Sequence, residues 1–481
     1  HVVEEFTGEH PGPNVNKADI PTPISAFEKI FPKSLVTKLR RETNAYAKYI
    51  KRNKGADKYL AKIKDDDEMA AFLGIMIIMG VDPKGELNDY WSTNTALRNE
   101  KISGVMSRNR FQKILQYFHV NDARNDPANI SNPAERATER RHRPMYKVAP
   151  ILKTVIHQSQ QMYNLHCEVA IDEAIIGYKG RYNGIPTVFI QGKPRAKGFK
   201  VYVLADSHSN YVANLKFMTS TGSHEEDMRN VSKTAALCEN LIQPFTGLHH
   251  VLYTDSYYTS IEMASRLLDY HHTYVVGSMR QDRRGFPNAL RTNPRRNPAS
   301  DKVKNLCRGQ FAARQKDDHV VVSYKDSKLL NLLSTCREGF RFNDGRINRF
   351  IKSPTTHRKS VYSLPAPDIV GDYNKYMGGV DRANQIRSYF TSQRQAHKWW
   401  KYVFFYLLDT AICNSYIIYK EVVDEKKTHK AFQVEVGCAM IGGFCSRKQR
   451  VTTAEPVLNT YKITTWLKER AEVLVVECAL R

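Results

Sequence analysis

Paired cysteines are what this chain most plainly lacks. Its eight cysteines (Cys167, Cys238, Cys307, Cys336, Cys413, Cys438, Cys445 and Cys478) are scattered, and no C-x-x-C occurs. That argues against a dithiol redox motif and reads as reduced core or surface thiols of an intracellular protein. Cys438 and Cys445 with His429 come nearest to a zinc cluster, but their spacing is poor. Long apolar runs are missing too. The run 69–79 is too short to span a bilayer, and 403–418 carries Asp409 at mid-length, so both read as core helices and no membrane partner is expected. No signal peptide is visible. The chain opens on His1 instead of Met, which points to a missing N-terminal piece. Negative charge is short as well: 49 Asp and Glu stand against 73 Lys and Arg, a formal net charge of +24. Such an excess favours polyanions and steers them in, an attraction that salt weakens. Charge alone fits a ribosomal or chromatin-type binder with no chemistry of its own.

The 481 residues leave room for about three domains. Residues 1–24, rich in Pro, Gly and Asn, read as an extended arm. From 25 to 165 the signals are helical: Asp65, Asp66, Asp67 and Glu68 open the 69–79 run as helix-starting acids, and 107–118 has apolar residues at helical spacing. Between these helices, 122–144 reads as a loop of Asn, Pro and Arg. Its neighbour 136–147 holds Arg136, Arg140, Arg141, Arg143 and Lys147, a solvated loop or a phosphate contact. From Glu168 the pattern turns to strands at 168–178, 200–206, 211–218, 249–255 and 273–279, with helices at 225–242 and 261–270. The order predicts an α/β layer architecture around a mixed sheet. Residues 280–370 then read as a β-rich insertion with short strands at 311–314, 319–324 and 329–334. A loop and helix over 374–390 and a long helix over 396–420 follow; Trp399 and Trp400 lie in the latter's apolar stripe, which reads as core more readily than as a base-stacking surface.

Three acids stand out. Asp172 lies in the apolar strand that begins at Glu168, and Asp255 ends the run Val251-Leu252-Tyr253-Thr254. A carboxylate so placed is costly unless a cation sits beside it. Because side chains alternate across a strand, Asp172 and Glu173 point to opposite faces. Asp172 is chosen because its face also holds the small Ala170 and Ala174; a plain surface pair with lysine is the other reading. Asp255 sits where sites form in open α/β sheets, beyond a strand's carboxyl end, or else caps the segment that starts near Ser256. Asp381 follows Gly378-Gly379, a pair that allows close backbone approach, and has Asn384 three residues on. No local motif spans from one acid to the next, so only a fold can unite them. Converged, three carboxylates would suit hard divalent cations, and beside a polyanion partner that means two-metal phosphoryl transfer on DNA or RNA.

The chain resembles the piggyBac transposase family over most of its length. The resemblance rests on many short matches in one order: Glu5-Phe6-Thr7-Gly8, Pro11-Gly12-Pro13, Thr43-Asn44, Asp89-Tyr90-Trp91-Ser92, Met106-Ser107-Arg108-Asn109-Arg110-Phe111, Gly180-Arg181, Lys193-Pro194, Gly198, Lys200, Tyr253-Thr254-Asp255, Leu333-Ser334-Thr335, Tyr373-Asn374 and Gly378-Gly379-Val380-Asp381. It implies a ribonuclease-H-like catalytic core with a β-rich insertion domain, flanked by a helical dimerisation and DNA-binding domain. On this chain the core falls on 166–279 and 371–390, the insertion on 280–370, the helical domain on 25–165 and 391–430, and a basic tail of uncertain fold on 431–481. The resemblance further implies metal-dependent cutting at TTAA sequences through hairpin intermediates, a homodimer on double-stranded DNA (transposon ends and target), and a nuclear location. The family's metal-binding aspartates fall on Asp172, Asp255 and Asp381, with two Mg²⁺ ions expected and Mn²⁺ able to substitute. Arg181, Lys193, Lys197 and Lys200 are expected on the DNA path beside the site, and Arg283 and Arg284 at the start of the insertion are given the same role. Two departures matter. Asn384 stands where relatives often carry a second acid, and residues 421–481 lack the paired cysteines of the family's usual zinc-binding domain. The functions open are therefore an active cut-and-paste transposase, a domesticated or relic DNA-binding protein, and a plain ribonuclease-H-type nuclease.

Overall fold

A computed structural model describes residues 3–54, 62–180, 182, 185–191, 197–219, 231–336, 345–352 and 359–446. The N-terminal third is helical: α1 (Pro23–Ile30), α2 (Lys33–Lys54), α3 (Asp66–Val81), α4 (Glu100–Val105), α5 (Arg108–Tyr117), α6 (Pro133–His142) and α7 (Ala149–Met162). Asp65 starts α3 by accepting the Glu68 N–H at 2.9 Å, and its first turn is acidic throughout. Acids at that end offset the positive pole of the helix. The arm before α1 is partly pinned, because β1 (Gly12–Pro13) pairs with β2 (Tyr163–Asn164).

A nine-stranded mixed sheet occupies the middle of the chain. Its strands are β3 (Glu168–Gly177), β4 (Thr187–Phe189), β5 (Lys197–Asp206), β6 (Val212–Phe217), β7 (Val251–Thr254), β8 (Tyr274–Ser278), β9 (Phe311–Lys316), β10 (His319–Lys325) and β11 (Leu329–Ser334). The order runs β4-β5-β3-β7-β8-β11-β10-β9, with β6 also on β5. β3, β7 and β8 are parallel neighbours, joined by α8 (Lys233–Ile242) and α9 (Ile261–His271); the other pairs are antiparallel. The short α10 (Ser300–Lys304) follows β8. The hairpin β12 (Arg346–Lys352) and β13 (Lys359–Pro365) forms a two-stranded ribbon of its own. Then come α11 (Asp368–Tyr376), α12 (Gly379–Tyr389), α13 (Trp399–Val422) and α14 (His429–Ile441). Trp399 and Trp400 are buried in the core, as the stripe on their helix suggests.

Several expectations change. Within the expected insertion at 280–370, β9, β10 and β11 continue the central sheet through the pairing of β11 with β8, while β12 and β13 form a ribbon apart. The open edge of β8 exposes unpaired N–H and C=O groups, and a neighbouring strand satisfies them. The supposed loop at 122–144 contains α6. Asn132 caps it, accepting the Ala134 N–H at 2.9 Å, and Pro133 occupies its first turn. No residue of α6 is buried, so it carries none of the apolar periodicity by which helices are usually read. The 374–390 stretch is two helices broken at 377–378. The tail boundary at 431 cuts through α14, which packs against α3. A Cβ on Gly74 would lie 2.6 Å from the Gly437 carbonyl oxygen, so the two helices meet backbone to backbone. The start of the helix expected at 225–242 lies outside the described residues up to 230.

Candidate active site

The parallel register of β3 and β7 ends at Ile171 opposite Thr254. One step further, Asp172 and Asp255 fall side by side, with backbones about 5 Å apart at ordinary strand spacing. Partners in register share a face, so both carboxylates leave the sheet on one side. Asp172 also lies opposite Val203 of β5. Val203 lines a small cavity together with Ala383, Asn384 and Arg387 of α12, which puts α12 over the Asp172 face. Asn384 Nδ2 donates to the Glu173 carbonyl at 3.4 Å, tying α12 to β3 directly. Asp381 lies exposed in the first turn of that helix, after the buried Gly379 and Val380. The register thus puts Asp172 and Asp255 at the same level of neighbouring strands, and the helix of Asp381 lies across that side of the sheet.

Asp255 is not the cap of the following helix. Ser260 caps α9, accepting the Met263 N–H at 3.1 Å. The Asp255 carboxylate instead accepts the Tyr257 N–H at 2.9 Å in a tight turn. Burial pushes its pKa up, and the negative charge of Glu173 adds to that. A carboxyl held in this condition is one that a cation would relieve.

Two neighbours of the site take places that local pattern does not give. Tyr373 of α11 is buried near both acids; burial first, then the charges of Asp255 and Asp172, raise its phenol pKa. Sequence shows only a tyrosine eight positions before Asp381. On the opposite face, Lys200 Nζ lies 3.5 Å from Glu173 Oε2, and its ammonium sits 4.1 Å from the centre of the Tyr257 ring. Tyr258 Oη donates to the same Glu173 oxygen at 3.3 Å. Lys200 is buried, so its charge is engaged within the fold. Lys197 is exposed at the start of β5, and Arg284 is exposed. Arg283 Nη2 donates to the carbonyls of Ser256 and Tyr257, bracing the turn that follows Asp255. Arg181 and Lys193 lie outside the described residues.

The donor set fits a hard divalent cation in kind: carboxylate oxygens, two of them adjacent and one desolvated. Among the described residues, no three His, Cys, Asp or Glu side chains form a group close enough to hold one ion. The part of the site that the strand register supports is Asp172 with Asp255. No helix among the described residues is long and apolar enough to cross a membrane.

Comparison with known proteins agrees with this architecture. A family model described as Transposase IS4 matches residues 22–416. The chain is 23% identical over 417 residues to human PiggyBac transposable element-derived protein 5, covering 85% of this chain and 73% of that protein. It is 22% identical over 421 residues to human PiggyBac transposable element-derived protein 3, covering 87% of this chain and 64% of the relative. Among solved structures it superposes on a cryo-EM piggyBac transposase synaptic complex with hairpin DNA, with TM-score 0.74 and 25% identity, over 94% of this chain and 86% of that one. The mixed sheet with its covering helices is a ribonuclease-H-like core, and by family model, relatives and fold together the chain belongs to the Transposase IS4 family, in its piggyBac branch.

Proposed function

We propose that the chain is a cut-and-paste DNA transposase that cleaves and joins strands at TTAA sites through hairpin intermediates. The observation that carries this reading is the adjacency of Asp172 and Asp255 at the carboxyl edge of parallel strands. Asp172, Asp255 and Asp381 would hold two Mg²⁺ ions, with Mn²⁺ able to substitute. Such ions stabilise the attacking and leaving oxygens of an in-line displacement at phosphorus. The protein's own residues do the rest. β3 and β7 would hold two of the carboxylates at the ends of neighbouring strands, and α12, which packs on the Val203 side of the sheet, would bring the third. Arg283 holds the turn after Asp255 in place. The basic surplus draws the DNA backbone toward the site. Lys197 and Arg284, being exposed, are the candidate cations for that contact, with Arg181 and Lys193 assigned to it by resemblance. A homodimer working in the nucleus completes the proposal.

A second reading has one observation behind it. No three acids already form a single-ion group among the described residues, which suits a DNA-binding protein retired from transposition. The experiment that separates them is incubation of the chain with duplex DNA carrying TTAA-flanked ends and Mg²⁺. Hairpinned products that vanish in Asp172→Asn, Asp255→Asn and Asp381→Asn support the transposase. Tight DNA binding with no strand cleavage under Mg²⁺ or Mn²⁺ overturns it in favour of the retired form.

A further inference from the structure

The break between α11 and α12 is fastened on both sides to one turn of the sheet. That turn, 206–210, joins β5 to β6 and is organised by Asp206, which is fully buried. The Asp206 carboxylate accepts the N–H groups of His166 at 2.7 Å, His208 at 2.9 Å and Ser209 at 2.8 Å, and the Ser209 hydroxyl at 3.1 Å. His166 Nδ1 lies 3.0 Å from it as well. Burial alone would raise the Asp206 pKa; the His166 and Ser209 bonds outweigh it, and the pKa is lowered. The turn ends at Asn210, whose φ of 64° is left-handed.

From this turn two grips extend. Ser207 Oγ donates to the Tyr376 carbonyl at 2.7 Å, at the end of α11. Arg382 Nη2 donates to the Ser207 carbonyl at 2.8 Å, and Arg382 Nε to Asn210 Oδ1 at 2.7 Å, in the first turn of α12. Between them Gly379 comes so close that an added Cβ would lie 3.2 Å from the Asp206 carbonyl oxygen. Asp381 sits between the fastened points. A guanidinium held by two directed bonds fixes rotation as well as distance, which a single ammonium cannot do. Turning α12 by one residue would carry Asp381 about 100° around the helix axis.

We propose that Arg382 and Asn210 are positioning residues that set the rotation of α12, and so the aim of Asp381 toward the Asp172–Asp255 pair. This rests on the metal-binding reading given above. Neither residue touches the reacting atoms; both act through Asp381.

The test is Mn²⁺ binding by the full chain without DNA, read from the free-ion paramagnetic resonance signal. Asn210→Gly keeps the turn, since glycine takes a left-handed φ without strain, but removes the amide. Arg382→Gln removes the fork, and Arg382→Lys restores the charge with one grip. Each of the first two is expected to raise the half-saturating Mn²⁺ concentration about tenfold, the usual cost of losing an outer-shell partner. Arg382→Lys should fall between wild type and Arg382→Gln, and the double variant should be no worse than the poorer single one. Asp381→Asn is the benchmark. If it weakens Mn²⁺ binding while Asn210→Gly and Arg382→Gln bind like wild type, or if their effects simply add, the clamp is wrong and the metal site stands. If Asp381→Asn binds Mn²⁺ like wild type, the metal-binding reading fails and the clamp's purpose with it.

Discussion

Asp409 offers a stringent test of how the catalytic core is joined to the helical domain. It lies at the middle of α13 and is 3% exposed. Its carboxylate accepts Thr391 Oγ1 at 2.6 Å, Ser392 N at 2.9 Å and Ser392 Oγ at 2.5 Å, all from the segment that follows α12. Burial raises the Asp409 pKa despite these bonds. Asp409→Ala strands three donors where water has little access. Each orphaned donor costs about 1–3 kcal/mol, and part of the total is recovered by local relaxation, so a loss of about 3–5 kcal/mol is expected. Asp409→Asn keeps one acceptor and turns an amide N–H₂ toward remaining donors, costing about 1–3 kcal/mol. Trp399 and Trp400, buried on the same helix, report the transition by fluorescence during urea unfolding. With a slope of about 3 kcal/mol/M, the alanine variant should move the midpoint down by about 1–1.7 M. An alanine variant within about 1 kcal/mol of wild type would refute the reasoning, because three satisfied buried donors cannot lose their acceptor at so small a cost.

Two further outcomes follow from packing and charge. Gly74→Ala gains about 1 kcal/mol of helix propensity but forces α3 off α14, at about 1–3 kcal/mol, so the melting temperature should fall; Gly104→Ala in α4, where a Cβ meets nothing within 4 Å, should not lower it. Equal shifts for both would sink the packing argument. His119 is buried, and burial, then the charges of Lys147 and Lys398, lower its pKa to about 3. The unfolded chain therefore takes a proton below about pH 6.5 that the folded chain refuses, and stability is lost as pH falls through that window. Between neutral pH and about pH 5 the His119 contribution should reach about 2 kcal/mol. A difference between wild type and His119→Gln that is constant with pH would contradict it.

The elements that carry the three aspartates were legible because each advertises itself in local pattern. Val251-Leu252-Tyr253-Thr254 is a short apolar run ending on an acid, and the strand of Asp172 is a mostly apolar run interrupted by Asp172 and Glu173. That the two strands are neighbours is not local information; it comes from the connection through β4, β5, β6 and α8. What stayed hidden falls into two kinds. α6 is a helix with no buried face, so its only sign was a capping asparagine before a proline. The extension of the sheet by β9, β10 and β11, the Lys200–Glu173 pair and the approach of Tyr373 depend on which edge or face a distant segment meets. Lys200 illustrates the limit. Its charge suggested solvent and phosphate, whereas its strand position places it in the sheet's interior against Glu173 and two tyrosine rings.

The register of β3 against β7 has a bearing on timing. Two acids are paired as soon as the parallel strands form, but the third waits for α12, which emerges only after the sheet's last strand and the β12–β13 ribbon have been made. A chain halted before that helix would carry two of the three proposed ligands and lack the third. On the proposed reading such a truncated product would leave DNA uncut.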